Sequence, residues 1–328
     1  MIELLMPVRL SDQVCETLAA SFKLHRLWEA ADEAAFLASI APRIRGIVTG
    51  AGILSDGRAL RIDGPFMAQF PALEIVFNLG VGYDTIDAAW AAERGILVTN
   101  TPDVLTEETA DTAMGLLLNS VRQFPAAERW LREGRWEKAP FPLSATLRGR
   151  TLGILGLGRI GKAIARRAQA FGVAIAYCGR HKQDDVTFPY YATPLELAAA
   201  CDILLVAAPG GPQTRNLVDR AVLDALGPQG ILINIARGSL VDQDALVEAL
   251  QTGVIASAGL DVFTHEPHVP AELIALDHVV LFPHIGSATH ETRRAMARLL
   301  VDNIEAWASG KPPLTPVPES RLARIGPR

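Results

Sequence analysis

The stretch Thr151–Ala168, "TLGILGLGRIGKAIARRA", decides the fold. It opens as an apolar strand and continues as a helix. Between the two stand Gly156, Gly158 and Gly161, in the spacing G-x-G-x-x-G. Each glycine has its own physical task. Gly156 permits a tight turn, Gly158 lets the backbone approach a pyrophosphate, and Gly161 lets the helix pack closely on the strand. The start of the helix adds free N–H groups and the positive end of a dipole. The turn from Gly156 through Leu157, Gly158, Arg159 and Ile160 to Gly161 is therefore the candidate phosphate site of a dinucleotide. A glycine-rich loop of no function is the alternative. The strand before and the helix after count against it.

About twenty residues on, an NAD-binding fold places an Asp or Glu against the ribose 2′-hydroxyl. Here the sequence reads "YCGRHK", with Gly179, Arg180, His181 and Lys182 where the acid is expected. Asp184 and Asp185 come several residues too late. Arg180 is planar, permanently charged and suited to a phosphate, and Lys182 adds a point charge. The basic run fits the 2′-phosphate of NADPH, with NADH as the weaker option; the alternative is a solvated loop of ordinary basic residues.

Outward from this turn, β-type runs and helical segments alternate along the chain. Before it come "IELLMPV", "IRGIVTG", "LEIVFNLG" and "ILVTN"; after it come "VAIAYC", "DILLVAAP", "GILINIAR", "SAGLDVF" and "HVVLFPH". The pattern predicts parallel sheets of α/β type, buried on both faces. Asp84 or Asp87 can cap the helix before Gly95. Pro125 should bend or restart the long apolar helix that begins near Thr106. The last helix is long enough to return to the first domain. The expected architecture is discontinuous: residues 1–103 plus 288–328 form one domain, and residues 104–287 form the cofactor domain.

The 328 residues are 49% apolar and 20% charged, with a formal net charge of −5, which excludes a general nucleic-acid binder. Cys15, Cys178 and Cys201 form an odd, widely spaced set that gives neither a disulfide framework nor a metal site, so a reduced cytoplasmic compartment is expected. No apolar run reaches membrane-spanning length, and no membrane partner is expected.

Three segments that each follow a predicted strand carry the chemistry. "INIARGSLVD" places Arg237, with Ile235 and Ala236 beside it as further candidate cofactor contacts. "GLDVFTHEP" places Asp261 and Glu266, and "VVLFPHIGSATHE" places His284. In an open parallel sheet, ligands gather at the carboxyl ends of strands. Arg237 can bind a substrate carboxylate and polarise a keto oxygen. His284 can donate a proton to that oxygen. Glu266 beside the imidazole favours its protonated form. His265, His268, His278 and His290 compete with His284, and any one of these groups alone reads as a surface or capping residue.

Taken together, "GLGRIG", "INIARGSLVD", "GLDVFTHEP" and "PHIGSATHETR" resemble the D-isomer-specific 2-hydroxyacid dehydrogenases over most of the chain, from about Val48 to Val317. Within that family, "NLGVGYDTID", "ALGPQGILINIARG" and "PHIGSATHETR" are similar to the glyoxylate/hydroxypyruvate and hydroxyphenylpyruvate reductases. The resemblance implies two doubly wound parallel-sheet domains, a Rossmann cofactor domain inserted in a flavodoxin-like substrate domain. It implies that Arg237, Glu266 and His284 are catalytic, that Asp261 holds the nicotinamide carboxamide, and that the N–H groups of Val81 and Gly82 bind the substrate carboxylate. It implies an NADPH-preferring reductase of small 2-keto acids, working as a homodimer. The apolar helix near Thr109 to Leu131 fits the interface, and Trp136 is a candidate to reach the partner's substrate site. Substrate specificity is expected in the loops near "TGAGILSD" and "RWEKAPFPL".

Two rivals share the fold. Phosphoglycerate dehydrogenases commonly place an Asp after the second strand, and formate dehydrogenases a Gln where Glu266 stands; neither feature is present. A corepressor-like dinucleotide sensor keeps a similar Arg–Glu–His set. The acidic charge balance and the reductase motifs favour an enzyme.

Overall fold

The computed structural model describes residues 1–50 and 60–321. They fall into two compact units, Met1–Leu105 with the segment from His290 onward, and Thr106–Thr289. Most of "TGAGILSD" lies outside the described residues.

The first unit holds β1 (Glu3–Met6), β2 (Lys23–Arg26), β3 (Ile44–Gly50), β4 (Ile75–Leu79) and β5 (Leu97–Thr99), in the order β2-β1-β3-β4-β5. Every pairing is parallel. This is the flavodoxin-like doubly wound order. Parallel strands need crossovers, and local chemistry marks where those helices start. The Asp87 side chain accepts from the Trp90 N–H at 3.0 Å and caps Ala88–Glu93, while Gly95, at φ +71°, closes that helix. Of the two aspartates considered, Asp87 is the cap. The long helix His290–Ala308 joins this unit's core through Leu300 and Ile304, beside Phe77 of β4. The Pro-rich tail then returns to the sheet edge. Thr99 and Pro316 form an antiparallel bridge, and the Val317 N–H donates to the Val98 carbonyl at 3.0 Å. The edge strand β5 is thereby covered.

The second unit holds β6 (Thr151–Leu155), β7 (Ala174–Cys178), β8 (Tyr190–Tyr191), β9 (Ile203–Val206), β10 (Ile231–Asn234), β11 (Ser257–Leu260) and β12 (Val280–Leu281). Their order is β12-β11-β10-β9-β6-β7-β8, again all parallel. The order reverses between β6 and β9, and a doubly wound sheet binds its ligand at that switch point. The period-2 alternation of strands sorts the apolar residues onto two faces. Ile203, Leu205, Ile231 and Ile233 pack on one side, with Leu204, Val206 and Leu232 on the other. Burying each such side chain contributes roughly 1.5–3 kcal/mol.

Two strands were absent from the sequence expectation. Strands β2 and β8 carry too little apolar patterning to be read. β2 is "KLHR" and β8 only two residues long, and both are edge strands. As Pro125 led one to expect, the long apolar helix restarts: it is two helices, Thr106–Arg122 and Phe124–Arg132, with Gln123 at φ +54° between them. The first helix spends its apolar face on its own unit, where Ala110, Ala113, Leu116 and Leu117 are fully buried. The second helix has no fully buried residue.

At one end of the first sheet, Glu3 ties neighbouring segments together. Its carboxylate lies 2.7 Å from His25 Nε2 and accepts from Arg43 Nε at 3.1 Å and Lys23 Nζ at 3.4 Å. Burial raises its pKa, but the hydrogen bonds with His25 and Arg43 and the charges of Lys23 and Arg43 outweigh that and hold it at about 2. A depressed carboxylate stabilises the fold above its ordinary pKa and loses that contribution as pH falls through the folded value. Glu3→Gln should lower the Tm by a few degrees at pH 7. The gap to wild type should close as pH falls from the ordinary carboxylate range toward 2. A constant gap across that range in thermal melts would rule the ion pairs out as its source.

Candidate active site

The glycine turn joins β6 to the helix Arg159–Ala170. Gly156 sits at φ +99°, and a Cβ there would meet the Ala208 backbone at 2.6 Å. At Gly161 a Cβ would meet the Gly156 carbonyl oxygen at 2.5 Å, so helix and turn touch backbone to backbone. A Cβ on Gly158 would meet nothing within 4 Å. Two glycines are thus required by packing, while the third leaves its surroundings open. No side chain caps the helix. The N–H groups of Gly158, Ile160 and Gly161 find no partner among the described residues. Unpartnered N–H groups at a helix start, beside an open glycine, fit a pyrophosphate. Leu157 turns its side chain into the core, so only its backbone is available there.

The basic loop is bolted to this turn. Gln183 Nε2 donates to the Leu157 carbonyl at 2.8 Å, and the Gln183 N–H donates to Tyr177 Oη at 2.7 Å. At the loop's other end, Tyr190 Oη donates to the Gly179 carbonyl at 3.2 Å. Between these anchors Arg180, His181 and Lys182 are exposed, and their side chains take no partner among the described residues. Asp185, the nearest acid with a shifted pKa, is held below its ordinary value first by its hydrogen bond with Lys162 at 2.6 Å, so it is committed elsewhere. Sequence reasoning singled out the cations and missed Gln183, Tyr177 and Tyr190. No spacing rule links them to the turn.

His284, Glu266 and Arg237 come from the loops after β12, β11 and β10. His284 Nδ1 lies 2.7 Å from Glu266 Oε2, and Glu266 Oε1 accepts from the Phe263 N–H at 2.9 Å. Burial raises the Glu266 pKa; the hydrogen bond and charge of His284, the Phe263 N–H and the Arg237 charge together bring it below its ordinary value. Glu266 is therefore a carboxylate at neutral pH. The His284 ring is 39% exposed, and its Nε2 takes no partner among the described residues. One ring nitrogen is held by a carboxylate and the other faces outward, which is the arrangement of a general acid or base.

Asp261 fixes the backbone that presents this ring. Its carbonyl accepts from the His284 N–H at 2.9 Å, and its carboxylate accepts from the Ile285 N–H at 2.7 Å and the Gly286 N–H at 2.8 Å. His284 itself is left-handed, at φ +53°, a conformation that persists only where the surroundings over-determine it. Burial pushes the Asp261 carboxyl up, and the two N–H groups counter only part of that. Sequence reading placed Asp261 as a cofactor contact; in the structure its carboxylate clamps the His284 loop.

Arg237 stands on a loop folded by Asn234, a buried residue that sequence reasoning passed over. Asn234 Oδ1 accepts from the Ala236 N–H at 3.0 Å, and its Nδ2 donates to the Arg237 carbonyl at 2.9 Å. Ile235 is core, and the Ala236 carbonyl accepts from Arg237 Nη1 at 2.7 Å. Next to Arg237, Gly238 lets this loop lie directly on the Glu266 loop. A Cβ on Gly238 would stand 1.9 Å from the Phe263 carbonyl carbon. Val81 and Gly82 lie in the other unit, in the loop after β4, with N–H groups that find no partner among the described residues. Among those residues, no cluster of three His, Cys, Asp or Glu could hold a metal, and no helix is long and apolar enough to cross a membrane.

Residues 114–286 match the NAD-binding domain of the D-isomer-specific 2-hydroxyacid dehydrogenases, and the chain belongs to that family. It is 46% identical to glyoxylate/hydroxypyruvate reductase A of Arabidopsis thaliana, over 96% of this chain and 99% of that one. It is 45% identical, over the same shares, to the hydroxyphenylpyruvate reductase of Plectranthus scutellarioides. Among solved structures, the NADPH-dependent glyoxylate/hydroxypyruvate reductase of Sinorhizobium meliloti, in complex with NADP and malonate, superposes with a TM-score of 0.89 at 51% identity, covering 99% of both chains.

The contact at Gly238 makes a direct prediction. Overpacking of backbone on backbone costs about 1–3 kcal/mol or more. Gly238→Ala should lower the Tm and the turnover together, because the Arg237 and Glu266 loops must separate. An unchanged melting curve and an unchanged rate would show that the two loops do not touch.

Proposed function

We propose that the protein is an NADPH-preferring reductase of small 2-keto acids, chiefly glyoxylate and hydroxypyruvate, giving glycolate or D-glycerate. The observation that carries this reading is the Glu266–His284 pair at 2.7 Å, with the second imidazole nitrogen unengaged. The glycine turn would hold the pyrophosphate, Arg180 and Lys182 the 2′-phosphate, and the spare lone pairs of Asp261 the carboxamide. When bound, the nicotinamide supplies the hydride for the keto carbon.

The chain's own groups perform the rest. The guanidinium of Arg237 takes the substrate carboxylate and draws charge from the keto oxygen. The N–H groups of Val81 and Gly82 are a second carboxylate-binding group. Protonated His284 delivers its Nε2 proton to the keto oxygen, so the developing alkoxide becomes the hydroxyl of the product. Glu266 holds Nδ1 throughout, which keeps the ring oriented for the transfer. The resemblance to a hydroxyphenylpyruvate reductase makes aromatic 2-keto acids the second substrate class to assay.

The test is initial rates on glyoxylate, hydroxypyruvate and hydroxyphenylpyruvate, with NADPH and NADH in parallel. His284→Ala should lose roughly 10²–10⁴ in kcat, the worth of positioned proton transfer. Near-normal kcat would remove His284 from the mechanism. Arg180→Ala should raise KM for NADPH about tenfold or more, the worth of a charge-assisted hydrogen bond, and leave NADH kinetics alone. Equal use of both cofactors by wild type would make the basic loop a solvated one.

We also propose a homodimer, formed through residues 124–143. That segment carries Phe124, Leu131, Trp136 and Leu143, exposed by 45%, 57%, 64% and 102%. Exposed large apolar groups gathered on one segment favour association. Light scattering should give twice the chain mass for wild type and a monomer for Leu131→Glu; a monomeric wild type would refute the pairing.

A further inference from the structure

The loop after β4 is held by two asparagines. Asn78, the fourth residue of β4, is 2% exposed. Its Nδ2 donates both hydrogens, to the Gly80 carbonyl at 3.1 Å and the Gly82 carbonyl at 2.8 Å. Asn100, just after β5, donates from Nδ2 to the Val81 carbonyl at 2.8 Å. Thr101 completes the clamp, since its N–H donates to the Gly80 carbonyl at 2.9 Å and its Oγ1 accepts from the Gly80 N–H at 3.0 Å.

All three carbonyls of Gly80–Val81–Gly82 are therefore pinned to the body of the unit. A trans peptide unit is planar, with its C=O and N–H pointing in opposite directions. The Gly80 carbonyl shares a peptide plane with the Val81 N–H, and the Val81 carbonyl shares one with the Gly82 N–H. Pulling both carbonyls inward therefore drives both N–H groups outward, and these are the two N–H groups left without a partner.

Asn100 is itself braced. Its carbonyl accepts from Thr315 Oγ1 at 2.6 Å and its N–H donates to the Thr315 carbonyl at 3.3 Å. Thr315 is tied in turn to Asn303, 1% exposed on the helix His290–Ala308, at 2.9 and 3.0 Å. The tail after the last helix thus supports the loop from behind.

We propose that Asn78 and Asn100 are positioning residues that set the Val81–Gly82 N–H pair for the substrate carboxylate. This rests on the reading, given above, that the pair binds that carboxylate. Neither asparagine touches substrate in this account; each acts through the peptide planes it clamps. Replacing the amide donor by a carboxylate, in Asn78→Asp or Asn100→Asp, keeps the shape but sets an acceptor against the carbonyls. In Asn100→Asp the Val81–Gly82 plane loses its inward pull, and in Asn78→Asp the Gly80–Val81 plane is left with the Thr101 N–H alone.

The experiment has two parts. In steady-state kinetics with NADPH, each variant should raise KM for glyoxylate about 10- to 100-fold, the worth of one or two hydrogen bonds to a charged group. It should retain most of its kcat at saturation, together with wild-type NADPH affinity by fluorescence. A folded variant with an unchanged KM overturns the proposal. A parallel fall in KM performance, kcat, NADPH affinity and Tm assigns the asparagines to stability alone and also overturns it. Asn100→Ala, which deletes a single donor, serves if the aspartate variants fail to fold.

In the second part, oxalate is titrated into ¹⁵N-labelled wild type. The Val81 and Gly82 amide resonances should shift, and the shifts should vanish in Asn78→Asp. Silence of both amides in wild type refutes the proposal. If oxalate moves them while no 2-keto acid is reduced, the clamp stands and the reductase reading falls.

Discussion

Where a parallel strand leaves its ladder, the backbone groups of the following loop lose their partners and must find new ones. The rest of this molecule depends on how that constraint is met at five carboxyl ends. After β4 the carbonyls go to Asn78 and Asn100. After β10 the loop closes on Asn234. After β11 the Phe263 N–H goes to Glu266, and after β12 the His284, Ile285 and Gly286 N–H groups go to Asp261. Among the described residues, N–H groups are left open after β6, at Gly158, Ile160 and Gly161, and after β4, at Val81 and Gly82; a dinucleotide phosphate would satisfy the first set. A few polar side chains at or past the strand ends, with Asn78, Asn234 and Asp261 buried, turn ragged loops into defined surfaces.

The same economy gives Glu266 two functions. One carboxylate oxygen satisfies a backbone N–H and the other holds the imidazole. The ring is therefore positioned by the fold itself, since the Phe263 backbone and Glu266 move together. Gly238 extends this coupling, because its bare Cα lets the Arg237 loop rest on Phe263. Orientation of the His284 ring and placement of the Arg237 guanidinium thus share one backbone contact. Preorganised groups of this kind cost no rearrangement when charge develops.

The chain is acidic overall yet presents a basic tip beside the glycine turn. Against a formal charge of −5, Arg180 and Lys182 are a local concentration of positive charge, which suits the extra phosphate of the proposed cofactor. The tip is exposed, but its anchors are Gln183, Tyr177 and Tyr190. Cofactor discrimination in this reading lies in charges whose placement is set by uncharged neighbours.

Much of this was legible in the residues alone. The α/β pattern, the roles of Gly156 and Gly161, and the Arg237, Glu266 and His284 trio all follow from local rules, because turn sterics, strand periodicity and side-chain chemistry act over a few residues. The broken helix at Pro125 was foreseen for the same reason. What the sequence could not reveal is everything that depends on partners far apart in the chain. Asn78, Asn100, Asn234 and Gln183 are ordinary amides with no diagnostic spacing. Nothing before folding says that Asn303 will brace Thr315, or that Asp261 will hold the loop of His284. The edge strands β2 and β8 were invisible too, since their pairing comes from neighbours rather than from their own apolar content. Sequence determined which chemistry is present and which segments become strands and helices. Tertiary structure alone decided which buried polar groups meet, because a hydrogen bond is formed by proximity in space and leaves no periodic trace along the chain.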